Sequence, residues 1–254
     1  MRGDLIKIYG KNAVLERLKS GKGFDKIELL SSAAHDDRVT KILDAARRAG
    51  VNVRFRDRAA LDRASDGERH QGCIGYCSDF TYGTIDDIFA VAEGKGEPPF
   101  MVILDGIEDP HNFGSILRTA ECGGVHGVII GKNRQVPVGD TVIKVAEGAA
   151  EHVTIARVVN INDAIREVKS RGVWVYALDA GGRSIYDENL TGAVALVVGA
   201  EGAGVSRLTA ELCDGVLALP MRGKINSLNA SVAAALGIYA KTECDIRASR
   251  KNDK

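Results

Sequence analysis

Three apolar runs in this sequence are each followed by polar residues whose types could do chemistry, and the first run is Met101–Leu104. A buried strand is indicated there, and a helix is predicted over Ser115–Gly123. Asn112 or Ser115 could cap this helix, and Arg118 would fall in its opening turns. A helix N-terminus beside a guanidinium group suits an anion such as a phosphate. A capped helix with a surface arginine explains the same spacing, so both interpretations stay open.

The second segment places Gly199, Gly202 and Gly204 directly after the apolar run Ala195–Val198. Glycine has no Cβ, so such a loop lets a ligand approach the backbone closely. The order is G-x-x-G-x-G, whereas a dinucleotide-binding loop has G-x-G-x-x-G and stands early in its domain. Glu201 adds a carboxylate inside the loop. A binding loop and a generic glycine turn are both compatible with this pattern.

The third segment groups Asn226, Ser227 and Asn229 ahead of an alanine-rich helix predicted over Ser227–Glu243. Asn226 or Ser227 could cap this helix. A packing helix explains the alanines but not the three clustered polar residues. Four small residues would let the helix approach another backbone tightly, namely Ala230, Ala233, Ala234 and Gly237.

In this order the three segments resemble the SpoU family of RNA 2′-O-ribose methyltransferases over roughly residues 100–240. The matching letters are D-x-x-x-D-P-x-N-x-G-x-x-x-R-T-A, V-G-x-E-x-x-G and L-P-M-x-G-x-x-x-S-L-N-x-S-V-A. The run Ile8–Glu16 is similar to the start of members that carry an extra ribosomal-protein-like RNA-binding domain. Those members include enzymes that modify a guanosine of 23S rRNA. One departure is Ala146, where many relatives carry serine.

The resemblance implies transfer of a methyl group from S-adenosyl-L-methionine (AdoMet) to a ribose 2′-hydroxyl. It also implies a homodimer whose parallel sheet is knotted as a deep trefoil, with AdoMet bent within the knot. The positions that match the AdoMet loops are Leu178, Gly199, Leu219, Met221 and Leu228. The positions that match the catalytic set are Asn112, Arg118, Glu201, Ser227 and Asn229.

Arg118 is the family's candidate for the group that accepts the hydroxyl proton. A free arginine has a pKa of about 12.5 or more, and a base working near neutral pH would require roughly 7 kcal/mol of perturbation. We therefore expect Arg118 to hold a phosphate and stabilise the developing alkoxide, while a phosphate oxygen or water takes the proton. Asn229 and Ser227 would orient the hydroxyl. Glu201 could fix Arg118 or a loop through a charge-assisted hydrogen bond.

These residues must be positioned by the strands and helices of the second part of the chain. Short runs that are apolar throughout are typical of a parallel sheet covered on both faces. The predicted strands are Met101–Leu104, Gly127–Ile130, Val173–Leu178, Ala195–Val198 and Gly215–Leu219. The predicted helices are Ser115–Gly123, Ile161–Ser170, Arg207–Leu212 and Ser227–Glu243. Their alternation predicts an α/β domain.

The first 80 residues form a smaller α/β pattern. A helical period follows Tyr9-Gly10, with Val14, Leu15 and Leu18 on one face. The further elements predicted are strands Lys26–Leu30, Val51–Phe55 and Cys73–Cys77 and helices Val39–Ala49 and Ala59–Ala64. We expect an RNA substrate-binding domain over residues 1–80, a linker over 81–99 with a short helix at Asp86–Ala92, and a methyltransferase domain over 100–254.

Composition and charge limit the class of protein. The chain has 254 residues and no net charge, but residues 1–80 carry 16 Lys and Arg against 12 Asp and Glu. Arg54, Arg56 and Arg58 cluster there, which suits a polyanion or a solvated charged face equally. No apolar run is long enough to span a membrane. Five scattered cysteines disfavour a disulfide framework and favour a reducing cytoplasm.

Three functions compete on these observations. An enzyme that methylates 23S rRNA is favoured by the two-domain layout, and tRNA is the alternative substrate. A non-catalytic RNA-binding protein on the same scaffold is disfavoured by the intact catalytic positions. A Rossmann-type enzyme for a small molecule is disfavoured by the glycine order and the basic front. No metal is expected, since Cys73 and Cys77 have no second ligand pair with zinc spacing.

Overall fold

The computed structural model describes residues 6–19, 24–33, 36–65, 67–77, 80–224 and 226–252. The chain divides into two compact units. One comprises Met1–Phe80 with Pro137–Asp140, and the other comprises Thr81–Val136 with Thr141–Lys254. Among the described residues, none of the helices is both long and apolar enough to cross a membrane.

The N-terminal unit contains a mixed four-stranded sheet with strand order β1-β4-β2-β3. Only the β2–β3 pair is parallel, and β3 is an edge strand. Its elements are β1 (Ile6–Tyr9), α1 (Lys11–Lys19), β2 (Lys26–Leu30), α2 (Asp37–Arg48), β3 (Asn52–Arg56), α3 (Arg58–Ala64) and β4 (Cys73–Cys77). The predicted strands Lys26–Leu30 and Cys73–Cys77 have the observed bounds.

Both faces of this sheet carry apolar contacts, as its alternating strands require. On one face, α1 and α2 bury Val14 and Val39 together with Ile27 of β2. On the other face, α3 packs Leu61 against Ile74 of β4. The unit therefore has a core of its own.

The second unit is built on a six-stranded parallel sheet with strand order β10-β8-β9-β5-β6-β7. Its strands are β5 (Phe100–Asp105), β6 (Gly127–Gly131), β7 (Thr154–Val158), β8 (Trp174–Ser184), β9 (Val194–Gly199) and β10 (Gly215–Ala218). Its helices are α4 (Ile85–Lys95), α5 (Pro110–Cys122), α6 (Asp140–Ala146), α7 (Ile161–Ser170), α8 (Arg207–Leu212) and α9 (Ala230–Asn252). The predicted parallel α/β domain is confirmed.

The core of this sheet explains its apolar strands. Every residue of β6 and β9 is buried, because helices cover both faces. The helix predicted over Asp86–Ala92 is α4, and it packs Ile88 into the same core. The carboxyl ends of β5, β8, β9 and β10 lie at one edge of the sheet, since these strands are adjacent and parallel. That edge is where ligands bind in open α/β sheets.

The structure corrects the start of α5. The helix begins five residues before the predicted Ser115, at Pro110, and its N-cap is Asp109 rather than Asn112 or Ser115. The Asp109 carboxylate accepts a hydrogen bond from the His111 backbone N–H at 2.9 Å. Proline at the first helical position has no N–H to leave unsatisfied, so the Asp-Pro pair favours this early start.

Arg118 consequently lies in the third turn of α5 and not in its opening turns. It stands eight residues beyond Pro110, or about 12 Å along the axis at ~1.5 Å per residue. The expected anion site made of the helix N-terminus and the Arg118 guanidinium is therefore wrong. Sequence spacing gave no warning, because it depended on where the helix began.

The last helix also starts later than predicted, at Ala230 instead of Ser227. The predicted caps Asn226 and Ser227 are wrong, because the Asn229 side chain accepts hydrogen bonds from the first turn. Two elements of the second unit, α6 and β7, were not predicted. The strand β7 has charged Arg157 inside an otherwise apolar run, which obscures its buried pattern.

Candidate active site

A cavity of about 280 Å³ opens beyond the carboxyl ends of β8, β9 and β10. Its wall combines apolar side chains with backbone of the loop after β9. Seven of the ten predicted site residues line it: Leu178, Gly199, Glu201, Leu219, Met221, Ser227 and Leu228. All five expected AdoMet positions are thus brought together in one cavity.

The loop after β9 folds back on its own strand. Gly202 and Gly204 have φ values of 79° and 67°, a left-handed region that glycine enters without strain. The Gly204 N–H donates to the Ala200 carbonyl at 2.9 Å, which closes the loop. A Cβ on Gly199 would lie 2.0 Å from the Gly204 carbonyl carbon. The glycines are therefore required by the loop itself, which exposes backbone to the cavity.

Two carboxylates that sequence reasoning did not select tie this loop down. Asp179 lines the cavity, and its Oδ2 accepts the Val205 N–H at 3.3 Å. Asp105, at the end of β5, accepts the Ser206 N–H at 3.0 Å. Both residues stand at the carboxyl end of a strand or just beyond an apolar run, which is the feature that could have identified them.

A chain of hydrogen bonds connects the three predicted segments. The Asn112 Nδ2 donates to Glu201 Oε2 at 3.3 Å, and the Asn229 Nδ2 donates to Asn112 Oδ1 at 2.9 Å. Asn112 is buried, so both ends of its amide are engaged where water has little access. The cavity-lining Glu201 is thereby linked to the start of α9.

The orientation of Asn229 is fixed by its role as a helix cap. Its Oδ1 accepts the Ser231 N–H at 2.9 Å and the Ser231 hydroxyl at 2.6 Å. With the oxygen committed to α9, the Nδ2 must point the other way, toward Asn112. Capping thus determines the direction in which this amide donates.

Arg118 does not join this network in the described contacts. Its Nη1 lies 2.9 Å from Glu147 Oε1, and both side chains are largely exposed. The expected pairing of Glu201 with Arg118 is wrong, since Glu201 contacts Asn112 instead. Ser227 is exposed and lines the cavity.

The cysteines occupy structural positions. Cys73 and Cys77 both lie in the core of the N-terminal unit. Burial raises the pKa of the Cys73 thiol to about 12, so it stays protonated at neutral pH. Within the described ranges, there is no group of three or more His, Cys, Asp or Glu side chains arranged to hold a metal ion.

A parallel α/β domain with an exposed glycine loop, apolar walls and an Asn–Glu–Asn network at its strand ends has the architecture of a cofactor-dependent enzyme. Residues 99–239 match the model of the SpoU rRNA Methylase family, and residues 7–83 match the RNA 2′-O ribose methyltransferase substrate-binding model. The chain belongs to this family of AdoMet-dependent RNA 2′-O-ribose methyltransferases, with the family's RNA substrate-binding domain at its front. The resemblance seen in the motifs is confirmed.

Relatives of known sequence agree over nearly the whole chain. A Bacillus subtilis protein named as a TrmH family tRNA/rRNA methyltransferase, YacO, is 42% identical over 91% of this chain and 93% of its own length. The 23S rRNA (guanosine-2′-O-)-methyltransferase RlmB of Vibrio cholerae is 39% identical over 94% of this chain and 96% of its own.

Solved structures support the fold. The SpoU methyltransferase AviRb from Streptomyces viridochromogenes superposes with a TM-score of 0.61 at 21% identity, covering 97% of this chain and 92% of that one. A TrmH/SpoU tRNA modifying enzyme of A. aeolicus gives a TM-score of 0.56 at 26% identity, covering 60% of this chain and 78% of its own.

Proposed function

We propose that this protein methylates the ribose 2′-hydroxyl of a guanosine in 23S rRNA. The observation that carries the proposal is the meeting of Asn112, Glu201 and Asn229 beside a cavity lined by the expected AdoMet positions. The rRNA substrate is supported by the 39% identity to an enzyme named for guosine-2′-O methylation of 23S rRNA. We assign RNA binding to residues 1–80, connection to 81–99 and methyl transfer to 100–254.

The residues that line the cavity fit AdoMet. Leu178, Leu219, Met221 and Leu228 offer apolar surface for an adenine ring, and the Gly199 backbone offers polar groups to read its edge. The Asp179 and Glu201 carboxylates in the same wall suit a positively charged ligand. AdoMet supplies a methyl group on a sulfonium sulfur, which needs only an aligned oxygen nucleophile and an acceptor for its proton.

The protein's own contribution is alignment. The Asn112–Glu201–Asn229 network and Ser227 hold polar groups in fixed positions, and such positioning can supply ~7–11 kcal/mol in a well-aligned case. Arg118 binds the phosphate of the target nucleotide and stabilises the alkoxide that develops as the hydroxyl oxygen attacks the methyl carbon. The hydroxyl proton passes to a phosphate oxygen or to water, so no protein base is needed.

The edge of the N-terminal sheet offers a surface for RNA. Arg54 and Arg56 are exposed and project from the same face of β3, as alternate strand residues do. On that face Glu28 is buried, and Lys26 Nζ and the Tyr76 hydroxyl bind its carboxylate at 3.0 and 2.9 Å. Because Glu28 is already neutralised, the arginines retain a positive field for a phosphate chain.

The last helix supports the expected homodimer. Val232, Leu236, Tyr239 and Ile246 of α9 are between 39% and 51% exposed. Their spacing of four, three and seven residues puts them on one face of the helix, as in a helix–helix seam. A second copy of this chain is the partner we propose, with soluble cytoplasm as the compartment. The trefoil knot stays a prediction of the family resemblance.

The decisive experiment supplies labelled AdoMet with unmodified 23S rRNA and, separately, unmodified tRNA, followed by mapping of 2′-O-methyl sites. Label at one guanosine of 23S rRNA is expected. Label in tRNA alone would overturn the substrate assignment while keeping the enzyme class. RNA binding without label in either RNA would establish a binding protein on the same scaffold.

A further inference from the structure

We propose that Glu147 is a positioning residue that holds the Arg118 guanidinium in its working orientation. The inference rests on the proposed role of Arg118 and concerns a contact that no motif of the sequence contains. The Arg118 Nη1 to Glu147 Oε1 distance of 2.9 Å is that of a charge-assisted hydrogen bond. Glu147 touches no proposed ligand, so it acts through Arg118.

The packing of α6 on α5 delivers Glu147 to this place. A Cβ on Gly114 would lie 2.7 Å from Val145 Cβ and 2.9 Å from the Val142 carbonyl oxygen, so only glycine allows so close an approach. Gly114 and Arg118 are four residues apart and share one face of α5. Glu147 is the residue directly after α6, and it meets Arg118 one turn beyond the contact with Gly114.

A glutamate at this position is unfavourable for stability in two ways. Its φ of 48° is left-handed, the conformation that glycine and asparagine normally supply after a helix. Its negative charge also stands at the carboxyl end of α6, where the helix dipole favours cations. The ion pair returns little, because its side chains are 55% and 62% exposed. Stability therefore does not explain the residue, whereas positioning of Arg118 does.

The contact leaves Arg118 able to bind RNA. A guanidinium has five N–H donors in a fixed plane, so a carboxylate on Nη1 sets the plane and leaves other donors for a phosphate. Without Glu147 the long arginine side chain must be ordered anew by each substrate, which costs rotamer freedom. Loss of Glu147 should therefore slow methyl transfer and leave AdoMet binding unchanged.

The test compares Glu147→Gly and Glu147→Gln with Glu211→Gln as the matched control. Glu211 makes a similar exposed ion pair with Arg207 at 2.8 Å, on α8. We expect Glu147→Gly to lower kcat/KM for RNA about tenfold, within the usual range for coupled contacting residues. Glu147→Gln, which keeps a hydrogen-bond acceptor, should recover part of this loss. The dissociation constant for AdoMet and the melting temperature should not fall in either variant, since glycine adopts the left-handed conformation freely.

A double-mutant cycle with Arg118→Lys connects the effect to its target. If Glu147 acts through Arg118, Glu147→Gly should cost much less turnover in the Arg118→Lys background. An equal cost in both backgrounds would overturn the proposal. So would wild-type turnover in Glu147→Gly, or a loss of activity that follows a fall in melting temperature.

A spectroscopic readout does not depend on methylation. Nitrogen-15 NMR measures rotation of the Arg118 guanidinium about its Nε–Cζ bond, and the signal is assigned by its loss in Arg118→Lys. Rotation should be faster in Glu147→Gly and unchanged in Glu211→Gln. Equal rotation in wild type and Glu147→Gly would sink the inference. Absence of methylation by the wild type, with the rotation difference present, would instead count against the proposed function alone.

Discussion

Asn112 is the residue through which the candidate site is assembled. It is 6% exposed, and its amide donates to Glu201 and accepts from Asn229. Truncation would leave two polar partners unsatisfied in a partly desolvated place, which is costly for geometry as well as for energy. Replacement by aspartate would put a second carboxylate beside Glu201 and repel it.

We therefore predict that Asn112→Ala lowers the single-turnover rate of methyl transfer about 10²-fold, in line with the removal of one well-placed hydrogen-bond donor. Asn112→Asp should be at least as slow. Asn189→Ala serves as control, because Asn189 binds only its own turn through the Thr191 N–H at 3.2 Å. A wild-type rate in Asn112→Ala would show that the network does not orient the nucleophile.

At this scale the sequence indicated which residues meet but not all of their partners. Asn112, Glu201 and Asn229 stand in motifs, so their meeting could be expected. Glu147 and Asp179 could not be assigned, because their contacts are with residues 29 and 26 positions away and depend on packing. The pairing of Glu201 was mispredicted for the same reason.

At the scale of elements, α9 carries the cavity wall and packs closely on the sheet. A Cβ on Gly237 would lie 2.6 Å from Cδ1 of Leu178, which itself lines the cavity. The small residues predicted to allow close approach are confirmed at Gly237 and at buried Ala234.

Gly237→Val should therefore overpack this contact and lower the free energy of unfolding by about 1–3 kcal/mol. Affinity for AdoMet should fall with it, since Leu178 must move. Gly94→Val is a matched control, because Gly94 also lies in a helix but has nothing within 4 Å of its Cβ position. Urea unfolding and AdoMet titration check both variants, and equal effects at the two sites would contradict the close packing.

The edge strand β3 gives a second prediction at this scale. Replacing Arg54 and Arg56 together by glutamine should weaken RNA binding about tenfold and reduce the salt dependence by about one per lost phosphate contact. AdoMet binding should stay as in the wild type. Arg38→Gln with Arg47→Gln removes the same charge from exposed positions of α2, on the opposite face of the sheet. Equal weakening by both pairs would mean that only net charge matters.

Element boundaries show where sequence reasoning ended. Helices α7 and α8 have the predicted bounds because apolar spacing and an N-cap agree in each. The start of α5 was misplaced because three polar residues compete as caps and only backbone geometry selects Asp109. Strand order and the extra elements α6 and β7 depend on contacts distant in sequence, which local patterns do not encode.

At the scale of the whole molecule, one buried histidine links stability to pH. Nδ1 of His126 accepts the Phe100 N–H at 2.9 Å, so Nε2 carries the proton and faces Glu97 at 3.1 Å. Burial lowers the pKa of His126 below its usual 6.5, although Glu97 opposes the shift. Between these two pKa values the unfolded chain binds more protons, so stability must fall as pH drops through that window.

We predict that the free energy of unfolding decreases as pH falls below 6.5, and that His126→Asn flattens this slope. Asparagine can still accept the Phe100 N–H through its side-chain oxygen, so the local backbone contact is retained. Urea unfolding between pH 7.5 and 5 measures the slope. A variant as sensitive to pH as the wild type would place the effect on other groups.

The exposed face of α9 makes the last prediction one about assembly. A second copy seated on this face would bury Leu236 and Tyr239, and a charge placed there would have to be desolvated without a partner, which strongly disfavours association. Leu236→Lys should therefore convert a dimer into a monomer at micromolar concentration, as measured by analytical ultracentrifugation. Ser249→Lys adds the same charge to an exposed position on the other side of α9 and should leave the dimer intact. A dimer that survives Leu236→Lys must use another surface, and a monomeric wild type would leave the apolar face of α9 to the RNA or to a different protein.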